Sequence, residues 1–443
     1  ALNITGVPFL ALMGTAGAVC VLIAVVIAIT LTPALLGLAG MRVLTRKARA
    51  RAGRAYAAIE AAHAARGQQD DPASPSVTAV PATRAARPAT ARVRPMNTWR
   101  AVITVVVSVV VLLVMAIPSL SMRLGLPDGG SEPHGSTTNT AFTVINEAFG
   151  EGVNGPLLVV ATLPAAVADD EVLAAQVEVA SILAETDDVV AVAPIGVSDD
   201  STVIAFQVVP AEGPNSESTD ALVRELRTMS PIAGDVDLGV AGQAAINIDI
   251  SESLQGVLPL YLAVVVGLSL LIMILVFRSI LVPVIATGGF ILSLFANFGA
   301  IVAVFQWGWA AELFGVDSTG PILSFLPVIL IGILFGLAMD YQLFLASGMR
   351  EAYVHGAPAR LAVAQGFRAG RSVVIAAGLI MVAVFGGFIF SESVLIRVIG
   401  FGLAFGILVD AFVVRLLLMP ALMHLIGKSA WWIPRWLDRI LPN

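Results

Sequence analysis

Seven stretches of the chain run almost free of charge and strongly apolar, at about 9 to 31, 101 to 118, 256 to 277, 280 to 305, 321 to 346, 372 to 390 and 397 to 424. A helix rising 1.5 Å per residue needs about 20 apolar residues to cross a hydrocarbon layer roughly 30 Å thick, so each stretch reads as a membrane span. An odd number of spans places the two flanks on opposite sides. Between the second and third spans the pattern changes to short alternating segments. Helices are predicted at 136–149, 169–186 and 218–229, and strands at 156–163, 189–195, 202–209 and 236–240. This alternation predicts an α/β domain of split βαβ, ferredoxin-like type, with its helices on one face of a sheet. Segment 41–99 differs again: an Ala/Arg-rich start to Gly67 suits a surface helix, and a Pro/Ala/Thr/Arg tract follows. That tract has too few apolar residues to bury a core and reads as a largely disordered linker.

Composition turns these patterns into a fold class. Of 443 residues, 58% are hydrophobic and 13% charged, about half the charge of an ordinary globular protein. The prediction is an α-helical polytopic membrane protein carrying one α/β domain. Its expected parts are a span at 1–40, a basic linker at 41–99, a span at 100–118, the α/β domain at 119–255, a five-span bundle at 256–427 and a tail at 428–443. Charge sets the orientation. Residues 41–100 hold 12 of the 25 Lys and Arg. Arg278, Arg350, Arg360, Arg368, Arg371, Lys428, Arg435 and Arg439 fall on the same face once the spans alternate. By the positive-inside rule that face is cytoplasmic. Residues 119–255 are then extracytoplasmic, with 21 Asp and Glu against Arg123, Arg224 and Arg227.

That acidic excess argues against a nucleic-acid partner and reads either as a solvated surface or as a face for a cationic ligand. The basic linker is placed to touch anionic membrane lipid. Residues 347–371 predict a basic amphipathic helix lying along the inner membrane surface. The single cysteine, Cys20, lies in an apolar run and packs as a small hydrophobe. The chain opens at Ala1 with no charged region and cleavage site before its first apolar run, so no signal peptide is expected.

Against this apolar background a few polar residues stand out. Asp340 and Tyr341 sit inside the 321–346 run. A carboxylate in hydrocarbon costs at least about 2.5 to 3.5 kcal/mol, so it needs a buried partner or a wet path. A proton relay uses such a group; a polar pair gluing two helices is the structural alternative. Successive helix residues point about 100° apart, which disfavours a direct Asp340–Tyr341 bond. Gly332 and Gly336, four apart, predict close approach of a neighbouring helix. Asp410 and Arg415 share the last span as either a second coupling site or a structural ion pair, although residues five apart stack poorly on an α-helix. Glu392 reads as a solvated loop acid. Trp307 and Trp309, with Phe305 and Phe314, read as an aromatic belt, with lipid access to the protein as the other use. His63, His134, His355 and His424 form no metal-ligand spacing. No Walker A loop or Gly-x-Ser-x-Gly elbow is present, so the expectation is a non-enzyme without a cofactor.

The chain also repeats itself. Residues 31–40, LTPALLGLAG, align without a gap on residues 418–427, LMPALMHLIG. Duplicated halves mark secondary transporters. In this alignment Ile23 stands opposite Asp410.

The run Gly336-Leu337-Ala338-Met339-Asp340-Tyr341-Gln342-Leu343-Phe344-Leu345 resembles the Asp-Tyr signature of MmpL-type transporters in the resistance-nodulation-division superfamily. Gly400-Phe401-Gly402-Leu403-Ala404-Phe405, with Asp410, Val414, Arg415, Pro420 and Ala421, resembles that family's last span. Phe149-Gly150-Glu151-Gly152-Val153-Asn154-Gly155-Pro156-Leu157 is similar to the opening of its second porter domain. The resemblance implies that the chain supplies the C-terminal portion of a twelve-span architecture, from the sixth span on. It implies a proton-driven exporter of lipids or other amphiphiles in the inner (plasma) membrane, with Asp340 and Tyr341 relaying protons and both facing a first-half span. Its partners would be the amphiphile, membrane lipids, the first half of the transporter and envelope accessory proteins. Two other readings stay open, an accessory or regulatory half-transporter subunit and a drug or hydrophobe efflux pump. A protein-translocation helper of the same superfamily fits less well, because its signature spans differ from residues 336–341.

Overall fold

The computed structural model describes residues 8–39, 49, 95–168, 170–233, 235–316 and 318–440. The surface helix and linker expected between residues 41 and 94 lie outside the described residues, Arg49 excepted. The chain forms two compact units, one over residues 2–93 and the other over residues 94–443 with Ala1. In the first, α1 (Pro8–Ile29) breaks at Thr30 and resumes as α2 (Leu31–Ala39). Pro33 near the start of α2 has no N–H to continue the α1 ladder, which accounts for the break.

The second unit begins with α3 (Thr98–Ala116), whose first turn is capped by the Asn97 side chain accepting from the Trp99 N–H. After the short strand β1 (Leu124–Gly125) comes the α/β domain. It contains α4 (Thr137–Phe149), β2 (Leu157–Thr162), α5 (Val172–Ala184), β3 (Val189–Val197), β4 (Val203–Pro210), α6 (Glu217–Met229) and β5 (Asp237–Gly242). Ser136 and Ser216 cap α4 and α6 by accepting from the backbone three residues on. The sheet order is β3-β4-β2-β5 with every neighbouring pair antiparallel. This is the predicted split βαβ arrangement: β2 and β3 run parallel, and β4 is inserted between them. Leu157, Val159 and Ala161 of β2 and Ile204, Phe206 and Val208 of β4 alternate onto one face, where Val179, Leu183, Leu222, Val223 and Leu226 of the two helices cover them.

The rest is a helical bundle. α7 (Gln243–Phe277) runs directly out of β5, so its first turns belong to the α/β domain and its remainder to the bundle. α8 (Leu281–Ile301) ends in a π-helical turn at Val302–Gln306. A two-residue strand β6 (Ile322–Leu323) pairs in parallel with β1. α9 (Leu326–Val354), α10 (Ala359–Gly387) and α11 (Val394–Leu408) follow, the last continuing through a π-helical segment, Val409–Leu418, into α12 (Met419–Ile426) and then a short α13 (Arg435–Ile440). Seven helical segments among the described residues are long and apolar enough to cross a membrane.

One expectation changes. Residues 347–371 form no separate surface helix: their first part is the last two turns of α9 and their second the start of α10. The break is confined to His355–Pro358, where Gly356 takes φ +90° and Pro358 precedes the new helix. Accordingly Asp340 lies at the middle of α9. The two glycines of α9 differ in their surroundings. A Cβ at Gly332 would meet the Tyr261 hydroxyl of α7 at 2.7 Å, whereas Gly336 has open space beside it. Within the described residues Gly332 is packed against a side chain, while Gly336 lies open on the face it shares with Asp340.

Candidate functional site

α9 presents two unlike faces. Ile333, Gly336, Asp340, Phe344 and Ser347 are exposed, and their spacing of three and four traces one stripe down the helix with the carboxylate at its centre. Ala338, Tyr341, Gln342 and Leu345 are buried against the bundle. Asp340 and Tyr341 therefore point apart, as the 100° step between successive residues dictates. The structure turns Tyr341 into the second unit's own interior, instead of toward the same neighbour as Asp340.

What Tyr341 meets there is the polar centre of the bundle. Arg415 is completely buried at 0% exposure and Asp410 nearly so at 5%. Arg415 Nε donates to Asp410 Oδ2 at 3.2 Å, and Arg415 Nη1 donates to Gln342 Oε1 at 2.7 Å. The winding of the helix makes the first contact possible. In an α-helix residues five apart lie about 140° apart around the axis. The Val409–Leu418 segment winds as a π-helix, with the Met419 N–H donating to the Val414 carbonyl five residues back. That winding stacks residue i+5 over residue i. Pro420, which lacks an N–H, follows directly and removes one α-type bond that would oppose the wider turn.

Ser293 of α8 faces the Asp410 carboxylate, and the Tyr341 hydroxyl lies within electrostatic reach of both Asp410 and Asp340. Several buried polar atoms here make no hydrogen bond: the Tyr341 hydroxyl, Asp410 Oδ1, Arg415 Nη2, Thr287 Oγ1 and both side-chain amide atoms of Asn297. Such orphaned groups are uncommon in protein interiors. Sequence reasoning named Asp340, Tyr341, Asp410 and Arg415; it missed Gln342, Ser293 and Asn297. The available signal was a polar residue inside an apolar span, which is weak for Ser and Asn. Among the described residues no three His, Cys, Asp or Glu side chains stand close enough to hold a metal ion.

Outside the bundle, a second polar cluster joins it to the α/β domain. Arg123 reaches Asp220 and Glu217 at 3.4 Å each and donates to the Asn215 carbonyl at 3.0 Å. Asn215 donates to Asp128 at 2.7 Å and accepts from Asn247 at 3.0 Å. Burial in this junction pushes the Asp220 carboxyl above the usual carboxylate value, against the pull of Arg123. Arg224 and Arg227 tie α6 to the start of α7 through Glu252 at 2.8 Å and Asp249 at 2.7 Å. The three arginines of the 119–255 segment are thus all engaged in ion pairs within that segment, and Arg123 also reaches the bundle, its backbone N–H donating to Gln306 Oε1 at 3.0 Å. Trp307 and Trp309 stand 5.5 Å apart, centroid to centroid. They line an apolar cleft of about 350 Å³ with Val114, Met115, Gly299 and Ala303.

Comparison with known proteins bears on what this architecture is. The model of the MMPL family matches residues 1–69 and 131–441. Membrane protein YdfJ of Bacillus subtilis is 38% identical over 448 aligned positions, covering 100% of this chain and 56% of that protein. Heme uptake protein MmpL11 of Mycobacterium tuberculosis is 33% identical, with 77% of this chain and 35% of that protein covered. A mycolic acid-containing lipids exporter, MmpL11 of Mycolicibacterium smegmatis, is 31% identical over 76% of this chain and 36% of its own length. The chain spans little more than half the length of the first relative and about a third of the other two. With seven candidate spans, an α/β domain between the second and third, and a family match over most of its length, this multi-pass membrane protein belongs to the MMPL family.

Proposed function

We propose that this chain works as part of a proton-driven exporter that moves lipids or other amphiphiles from the inner (plasma) membrane toward the cell envelope. The observation that carries the reading is the Asp340 stripe. A carboxylate exposed on an apolar helix face at mid-span is incompatible with lipid contact, so it calls for a facing protein surface or a water path. Behind it, one residue along, Tyr341 leads to the buried Asp410–Arg415 pair and its orphaned polar atoms. Asp340 and Tyr341 take the relay role, and Asp410 and Arg415 respond to it. The facing surface is assigned to the first half of the transporter, and the α/β domain to one wall of an extracytoplasmic substrate path. The basic face, with the linker and tail, is placed in the cytoplasm.

The names of relatives, one an exporter of mycolic acid-containing lipids and one a heme uptake protein, share a large amphiphile as cargo. The apolar cleft beside Trp307 and Trp309 suits an acyl chain or another hydrophobe, which also keeps a drug or hydrophobe pump in view. The test is Asp340→Asn in the protein with its full natural sequence. Membrane insertion and protein amount should match the parent, and export driven by an imposed proton gradient should be lost. Undiminished export by this variant overturns the relay. Comparing envelope lipids of cells with and without the gene identifies the cargo.

A further inference from the structure

We propose that Gln342 is a positioning residue that divides the Arg415 guanidinium between two helices and so ties the Asp410–Arg415 pair to the helix carrying Asp340. The inference rests on the proton-driven reading above and adds to it the part that links its two carboxylates. Charge-assisted hydrogen bonds are ordinarily the shorter ones. Here the order is reversed: Arg415 sits 2.7 Å from the neutral Gln342 amide oxygen and 3.2 Å from Asp410 Oδ2. The guanidinium is drawn toward α9, and Asp410 keeps one oxygen without a hydrogen bond.

The chemistry of the amide suits a tie that outlasts a change of charge. Its oxygen accepts a hydrogen bond and does not titrate, so the contact persists whether Asp410 carries a proton or not. Gln342 is 1% exposed and follows Asp340 and Tyr341 directly on a rigid helix. A rotation or shift of α9 that accompanies protonation of Asp340 is therefore delivered to Arg415, and through it to the π-wound segment. The charged groups acting on Asp410 and Tyr341 are Arg415, Asp410 itself and Asp340. α8 contributes Ser293, which is not ionisable, and α7 contributes Tyr261 against Gly332. Nothing in the spacing of Gln342 and Arg415, 73 residues apart in the chain, would have suggested the contact.

The experiment uses Gln342→Leu and Gln342→Glu in the protein with its full natural sequence, purified and reconstituted in liposomes. The primary readout is the infrared titration of the Asp410 carboxyl band, identified in each background as the band lost on adding Asp410→Asn. Gln342→Leu leaves Asp410 as the remaining hydrogen-bonded partner of the guanidinium and strengthens their pairing. Its titration midpoint should move toward acid by about one pH unit. Gln342→Glu sets a second carboxylate in competition for the same guanidinium and should move the midpoint toward alkaline pH. Midpoints unchanged in both variants overturn the proposal. A fall in folded protein with the parent midpoint retained also overturns it, since that is the signature of packing alone. Entrapped pyranine in the same liposomes reports proton uptake by the parent. No uptake on imposing a gradient overturns the proton drive and this role with it, whereas uptake with unmoved midpoints overturns the Gln342 role alone.

Discussion

Arg415 is the residue on which the interior of the bundle turns. A fully buried guanidinium is stable only with its charge matched and its donors engaged. Here one carboxylate and one amide share that task while Nη2 stays without a hydrogen bond. Removing one member of such a pair strands the other charge in a dry site, at a cost of about 3 to 5 kcal/mol. Arg415→Met should therefore lower the stability of the folded protein by that order in a detergent thermal-unfolding series. Adding Asp410→Leu to Arg415→Met should recover much of the loss, because an apolar pair strands no charge, while transport should not return. Two independent, additive losses would show that the residues are not coupled. The isolated sequence offered Asp410 and Arg415 as a second coupling site or a structural ion pair, against the poor stacking of residues five apart on an α-helix. Residues five apart meet here only because the backbone leaves α-helical winding between Val409 and Leu418.

At the scale of the element, glycine decides which helices come close. A Cβ at Gly299 of α8 would overlap the Met115 carbonyl of α3, and one at Gly289 would meet Val414 of the π-segment at 2.7 Å. Gly288, one residue away on α8, has nothing within 4 Å and lines an apolar cleft of about 700 Å³ with Leu113, Ile117 and Phe295. The contrast yields a matched pair of variants. Gly299→Ala should destabilise the bundle by about 1 to 3 kcal/mol through overpacking. Gly288→Ala should be neutral or stabilising by up to about 1 kcal/mol, since an open site gains only helix propensity. Equal effects in thermal unfolding would contradict the helix crossing described here. The internal repeat also acquires physical content at this scale. Its first copy begins with α2 at Leu31 after the break at Thr30, and its second begins at Leu418, the last residue of the π-segment, and continues as α12. In both copies a proline near the start of the short helix accompanies a change in winding.

For the molecule as a whole, the α/β domain and the bundle are joined by more than chain connectivity. α7 is common to both, β1 pairs with β6, and the Arg123 backbone N–H donates to Gln306 Oε1 across the junction. At the other end of the bundle Ser279 Oγ donates to the Ala430 carbonyl at 2.6 Å, Arg278 pairs with Asp438 at 3.0 Å, and Tyr353 stacks on Trp431. Residues 430–438 therefore pack onto the bundle rather than standing apart from it. The proposed orientation is checked by placing one cysteine at Asp187 and, separately, one at Lys428, with Cys20 replaced by Ser. In intact cells a membrane-impermeant maleimide should label the first position and reach the second only after the membrane is opened. The reverse result would invert the topology.

The sequence alone determined the seven spans, the position and split βαβ order of the α/β domain, and the candidate carboxylates. Each of these follows from quantities summed locally along the chain: hydropathy over some twenty residues, alternation over six, and the cost of a lone charge in an apolar run. Only the tertiary structure decided that Asp340 faces outward while Tyr341 faces inward, that Gln342 shares Arg415, and that residues 347–371 continue two long helices. Those outcomes depend on how far each helix is rotated against its neighbours and on where its winding departs from 3.6 residues per turn. Rotation and winding arise from packing between distant segments, and no window of sequence contains them.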